Sequence, residues 1–290
     1  GCVMAFILSI SGSTVLSESK RLPELFQWHT QALEVGNFAS PRDLNYIISK
    51  CKKCSMELGL HAPILRTDDH HGLLWNGWAP AWEELRRNLD FAARHAVAYV
   101  LVHFPYVWDK GGQNIGVENL RPAVHRLKRL EEWSGIPIIC EPKLGPSRDP
   151  SVFMSLWALA REELRQWDVS FALDVGDIYL ASRKLRCSWE GLFCHLAPWC
   201  KVIHLHNVWA GGRRYYWTPV SERGNVPVEQ MMGYLDSENK DIYAVLEHTP
   251  HRSGGSQEVG EGINWLLQHA GPWKGRDGHE TWNGRYMQVK

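Results

Sequence analysis

Residues 201–207, KVIHLHN, set the pattern around which the chain is organised. An apolar, β-branched lead-in marks a buried strand, and His204 and His206 follow two residues apart, which turns both imidazoles to one side of it. Three other segments are built alike, each an apolar run closing on a carboxylate: 136–143 (IPIICEPK), 170–177 (SFALDVGD) and 242–250 (IYAVLEHTP). The intervals Glu141 to Asp174, Asp174 to His204 and His204 to Glu247 are 33, 30 and 43 residues, each room for one strand and one helix. Strands that alternate with helices lie parallel, so their C-terminal ends meet on one rim. Two Glu, an Asp and a His gathered there make a donor set for a divalent metal ion.

Outward from this centre the same alternation continues. Phe6–Ser11 and Ala32–Phe38 read as the first two strands, the second with Glu34 inside it. Residues 58–64 and 99–106 read as the third and fourth, carrying His61 and His103 near their ends. Helical spacing of apolar residues predicts helices over 22–30, 41–56, 82–95, 117–133, 150–167, 189–199, 227–235 and 257–268. Ser40 is placed to cap the second of these, with Pro41 at its first position, and Gly135 stops the fourth. Two long stretches, 65–80 and 208–225, read as irregular loops. Eight nearly continuous apolar strands, each followed by a helix, predict a single (β/α)8 TIM barrel of class α/β over residues 1–270, with the metal site at the C-terminal rim. The tail, residues 271–290, has no periodicity. A doubly wound open sheet is the alternative, but it explains less well why six polar residues fall at strand ends.

Composition sets outer limits. With 44% hydrophobic and 22% charged residues the chain reads as a soluble globular protein. Its 32 basic and 32 acidic residues cancel, which ranks nucleic acid low as a partner. The first apolar run, residues 3–10, is much shorter than the ~20 residues of a membrane span. Seven Cys, an odd number with several in apolar stretches, suit free thiols in the cytoplasm. The fifteen Trp are mostly core and rim packing, with some free to floor a ligand pocket. The oligomeric state is open, a homo-oligomer included.

A carboxylate or imidazole buried at the end of an apolar strand costs several kcal/mol unless paired or bound. For any one of them a hydrogen-bonded core residue is as good a reading as a ligand. The weight lies in the repetition of His61, His103, Glu141, Asp174, His204 and Glu247 on successive strands. Carboxylates crowded together repel unless a cation sits between them.

The segments LHAP, LVHFP, IICEP, ALDVGD, HLHN and VLEHTP, in this order, resemble the xylose isomerase-like TIM barrels, the superfamily that also holds endonuclease IV-type enzymes. The resemblance covers nearly the whole barrel and implies that Glu141, Asp174, His204 and Glu247 bind the shared metal. It implies that His61 and His103, with a bridging Glu141, hold a second metal in the hydrolytic branch. Whether His204 or His206 is the ligand stays open. Two departures count against a three-metal site: Asp177 stands where the superfamily often has His, and aromatics in 215–220 (YYWTPV) stand where it often has Asp-x-His.

The leading functional expectation is therefore a metal-dependent isomerase or epimerase acting on a sugar or sugar-like polyol through an enediolate. Mn or Zn would be the cofactor, Glu141 and Glu247 the base and acid. His206, Lys143, Trp217 and Arg213 are expected toward the substrate, with Trp75, Trp108 and Trp209 as further rim aromatics. A zinc-dependent hydrolase of phosphoesters is the alternative, favoured by His61 and His103, and a barrel that keeps the ligands only as structure is the third reading. Asp68, Asp69, His70 and His71 read equally as a pocket cap or a solvated loop. Glu34 either lines the same cavity or pairs with a neighbour. Cys51 and Cys54 form a CxxC that reads as ordinary helix residues.

Overall fold

The computed structural model describes residues 5–67, 79–107, 117–211, 214–221, 224–236, 241–247 and 256–274. Asp68, Asp69, His70, His71, Trp75, Trp108 and Arg213 lie outside the described residues.

Eight parallel strands close on themselves: β1 (Phe6–Ser11), β2 (Ala32–Phe38), β3 (Glu57–Leu65), β4 (Tyr99–His103), β5 (Ile138–Glu141), β6 (Ser170–Asp174), β7 (Cys200–Leu205) and, after an excursion, β10 (Ile242–Leu246), which pairs with both β7 and β1. This is the (β/α)8 barrel that the intervals predict. Helices α1 (Pro41–Cys54), α2 (Ala79–Arg94), α3 (Val117–Ser134), α4 (Ser151–Ala158), α5 (Arg161–Trp167), α6 (Val175–Leu185), α7 (Trp189–Leu196), α8 (Val228–Asp236) and α9 (Ser256–His269) surround it.

The elements follow from local sequence. In α1, Leu44, Ile47, Ile48 and Cys51 recur at three- and four-residue steps and are buried against the strands, while Ser55 ends the helix in the left-handed region. In α2 the buried Asn88 accepts from the Ile64 N–H at 2.8 Å and donates to the Glu84 carbonyl, which ties the helix to the end of β3. Two cores result. The large one lies between strands and helices; the smaller one, inside the barrel, holds Ile7, Ala32, Tyr99, Leu101, Ile139, Ala172, Val202, Tyr243 and Val245. Every second residue of each strand points into the barrel. Counting on in twos from these apolar positions reaches Glu34, His103, Glu141, Asp174, His204 and Glu247. Gly36 has room for no side chain, because a Cβ there would meet the backbone of His61 where β2 and β3 approach at a register shift.

Four readings of local structure need correction. The strand expected over 170–177 ends at Asp174, whose carboxylate caps α6, a helix missed in the sequence because Val175 and Gly176 extend the apolar run. The helix expected over 150–167 is two, α4 and α5, broken where Leu159 is extended. The irregular stretch 208–225 contains an antiparallel hairpin, β8 (Asn207–Gly211) and β9 (Arg214–Thr218). The helix expected over 22–30 is a 3-10 helix, Ser19–Phe26. At the other end, Trp273 forms a parallel bridge with Phe6, so the first residues of the tail extend the sheet beside the start of β1.

Candidate metal centre

The inward-facing polar residues meet where the strands end. Donor atoms of Glu141, Asp174, His204 and Glu247 all lie within 4.8 Å of one another, and those of His61, His103 and Glu141 form a second such group. Glu141, Asp174 and His204 are buried, whereas the Glu247 side chain keeps 27% of its surface and faces the opening.

His204 is held from below. Its Nε2 lies 2.7 Å from Glu34 Oε1, and Glu34 Oε2 accepts from the Tyr99 hydroxyl at 2.6 Å. A carboxylate only accepts, so Nε2 carries a proton toward Glu34, and Nδ1 turns to the mouth. A carboxylate behind an imidazole is the arrangement that orients metal-binding histidines. Glu34 therefore pairs with a neighbour. The sequence shows its inward parity but not its partner, which lies 170 residues away and is set by closure of the barrel.

His204 Nδ1 faces Glu247 Oε2 at 2.8 Å and Glu141 Oε2. These three atoms are buried and make no hydrogen bond. Three buried ligand atoms gathered on one another, with no partner outside their own group, are what a cation site requires. Carboxylate oxygens with one imidazole nitrogen suit Mn or Zn, so the residues present fit a divalent ion.

Electrostatics agree with the geometry. Burial opposes a charged imidazolium at His204, but the carboxylates of Glu34, Glu141 and Glu247 outweigh it and push the pKa well above the usual histidine value. Burial would raise Glu141 as well; Lys143 and His204 instead hold it well below the carboxylate range. Burial pushes the Asp177 carboxyl up to about 6, with the charges of Asp174 and Glu141 adding to the rise and Lys143 opposing it. His103 is lowered by burial, against the pull of Glu141.

The remaining expected residues are placed as follows. His206 lies behind Asp174: its Nε2 is 2.9 Å from Asp174 Oδ1 and its Nδ1 3.1 Å from the Asn207 carbonyl, so both ring nitrogens are engaged. Asp174 Oδ1 also accepts from the Asp177 N–H at 2.9 Å, which leaves Oδ2 for the cluster. The Trp217 ring packs against His206 at 4.5 Å over Gly176, where any Cβ would collide with both rings. The Arg148 guanidinium stacks over Tyr215 and Trp217, fastening the hairpin above the mouth. Trp209 pairs with Tyr216 on the outer face of that hairpin and is exposed. Lys143 reaches into the site, with its ammonium 3.3 Å from both Glu141 Oε1 and Asp177 Oδ2. Arg148 and Tyr99 were not singled out in the sequence; Tyr99 is legible only as one more apolar strand residue.

No protein-family model and no curated protein matches the sequence. Among solved structures, a D-tagatose 3-epimerase-like protein superimposes with a TM-score of 0.65 at 15% identity, over 92% of this chain and 97% of that one. A xylose isomerase domain-containing protein of Salmonella typhimurium LT2 gives 0.67 at 15% identity, over 90% and 96%. The shared fold is the (β/α)8 TIM barrel. The IolI protein, solved with a bound zinc atom, shares this fold at a TM-score of 0.65 and 12% identity, over 90% of this chain and 96% of that one. At such identities the likeness is one of fold, and the chemistry of this barrel rests on its own side chains. No described helix is long and apolar enough to cross a membrane.

Proposed function

We propose that the protein is a divalent-metal-dependent isomerase or epimerase of a sugar or sugar-like polyol. The observation that carries this reading is the convergence of Glu141 Oε2, His204 Nδ1 and Glu247 Oε2, buried and without hydrogen bonds, at the mouth of the barrel. Structural neighbours described as a tagatose epimerase-like protein and a 3-keto-D-glucoside 4-epimerase agree with the substrate class.

Glu141, Asp174, His204 and Glu247 would hold the ion. When bound, it supplies Lewis-acid stabilisation of the negative charge that develops on adjacent substrate oxygens. Glu247, the partly open carboxylate, takes the proton from the carbon next to the substrate carbonyl; the C–H pair becomes the C=C bond and the carbonyl π pair moves onto oxygen, giving an enediolate. Return of the proton to the former carbonyl carbon, with the hydroxyl proton passing to the enediolate oxygen, gives the isomer; return to the opposite face of the original carbon gives the epimer. Glu141 is the second carboxylate, across the substrate from Glu247. Lys143 stands beside Glu141 as a fixed positive charge for a substrate oxygen, and Trp217 with the hairpin excludes water.

The test is incubation of metal-loaded protein with a panel of ketoses in deuterated water. Solvent deuterium entering C2 or C3 is the expected result. Turnover of a chromogenic phosphodiester without deuterium uptake from any ketose would replace this reading with the second, a zinc-dependent hydrolase, for which the His61–His103–Glu141 group is the favourable observation.

A further inference from the structure

The two oxygens of Glu141 are used differently. Oε2 turns toward His204 and Glu247 without a hydrogen bond. Oε1 lies 3.2 Å from His103 Nε2 and 3.3 Å from Lys143 Nζ. The same ammonium lies 3.3 Å from Asp177 Oδ2 and 3.9 Å from Asp174 Oδ2. Two cations thus compete for one oxygen: a second metal ion held by His61 and His103, and the lysine of the chain itself.

We infer that Lys143 is the resident cation of this second position and limits the site to one metal ion per chain. A second divalent ion would have to share Glu141 Oε1 with an ammonium already seated there, and like charges crowded on one oxygen repel. The ammonium is tethered two residues beyond Glu141. Its backbone N–H is anchored on the Pro105 carbonyl at 3.1 Å. Asp177 is fixed in turn, because its Oδ2 accepts from the Leu144 N–H at 3.1 Å and its own N–H is bound to Asp174. Lys143 is therefore enclosed by carboxylates from β5, β6 and the first turn of α6.

The inference rests on the proposed metal centre and goes beyond it. It fixes the stoichiometry and removes the two-ion arrangement that hydrolysis of a phosphoester would use.

Calorimetric titration of metal-stripped protein with zinc chloride, with metal analysis after dialysis, decides the matter. The expected counts are one equivalent in the native protein, two in Lys143→Gln, one in the charge-preserving Lys143→Arg and one in the double variant Lys143→Gln/His61→Ala. A native count of two, or a count of one in Lys143→Gln, overturns the inference while leaving the metal centre standing. A native count of zero removes the metal centre itself. Should Lys143→Gln fail to fold, His61→Ala in the otherwise native chain still decides: unchanged stoichiometry and affinity support the inference, and loss of an equivalent overturns it.

Discussion

The base and the mouth of this barrel are filled by the same inward-facing register with opposite chemistry. At the base Ile7, Ala32, Ala172 and Val202 pack around Tyr99 and Tyr243, whose rings meet at 5.1 Å, and the hydroxyl of Tyr243 reaches Glu57. Two residues beyond Ile139, Ala172, Val202 and Val245 the inward positions become Glu141, Asp174, His204 and Glu247. At the base the Tyr99 and Tyr243 hydroxyls are hydrogen-bonded to Glu34 and Glu57, whereas the mouth gathers three buried ligand atoms without a hydrogen bond. One end lowers the energy of the fold. The other crowds carboxylates, imidazole and ammonium at one opening, as expected where function and stability are divided between the two faces of a barrel.

The largest break in that division should come from Glu247→Gln. Losing one of two proton-transferring carboxylates lowers kcat/KM by about 10²–10⁴. Stability changes by less than about 1 kcal/mol, because the side chain is partly solvated. Urea titration beside the deuterium-exchange assay reads both; full activity removes Glu247 from the mechanism.

The mirror experiment is Trp273→Ala at the base. Trp273 is buried against Phe6, with its indole N–H on the Ala270 carbonyl at 2.8 Å, while Lys274 pairs with Asp241 at 2.8 Å. Truncation of a buried tryptophan costs about 3–5 kcal/mol. Metal affinity should stay the same within error, and a parallel loss of affinity would show that the two ends are not separable.

Much of this division is readable in the sequence, because it depends on period-two alternation within each strand. His61, His103, Glu141, Asp174, His204 and Glu247 stand out as polar residues closing apolar runs. What escapes the sequence depends on closure. Nothing near Glu34 or Tyr99 in the chain announces that they meet under His204. The α6 helix is hidden because Asp174 serves at once as the last residue of β6 and the cap of the helix, so the apolar run reads through it. The hairpin offers a usable signal, the Gly-Gly pair at 211–212 between aromatic flanks, which a reading of 208–225 as one loop passes over.

Glu34 joins the two ends, and Glu34→Gln tests the join. The amide still accepts from Tyr99 or His204 but no longer presents a charge behind the imidazole. Loss of such a partner weakens metal binding by about 10–100-fold. Competition against a zinc chelator measures it, and an unchanged affinity would make Glu34 a core residue only.

Proton release sharpens the contrast further. In the metal-free protein the carboxylates around His204 favour its charged form. A raised folded-state pKa contributes stability below the unfolded value near 6.5, and that stability is lost as pH climbs through the folded value. A metal ion must displace this proton, so binding at neutral pH releases about one proton and tightens as pH rises. Titrations in buffers of different ionisation enthalpy read the release. No release, with an affinity flat in pH, would take His204 out of the ligand set.

The smallest effect concerns neighbours on one strand. Cys140 precedes Glu141 on β5, yet its thiol lies in the layer between strands and helices, where burial pushes its pKa up to about 12. Glu141 faces the charged mouth. Removing the metal leaves the carboxylates there to repel one another; if that repulsion loosened β5, Cys140 would open to solvent. The inner core under the cluster and the Lys143 ammonium hold the strand in register instead. Iodoacetamide at mildly alkaline pH should therefore modify the exposed Cys54 first and spare Cys140 equally with and without metal. Faster labelling of Cys140 in the stripped protein would mean that the strain of the mouth reaches through the strand into the outer core, and that the two chemistries share more than a register.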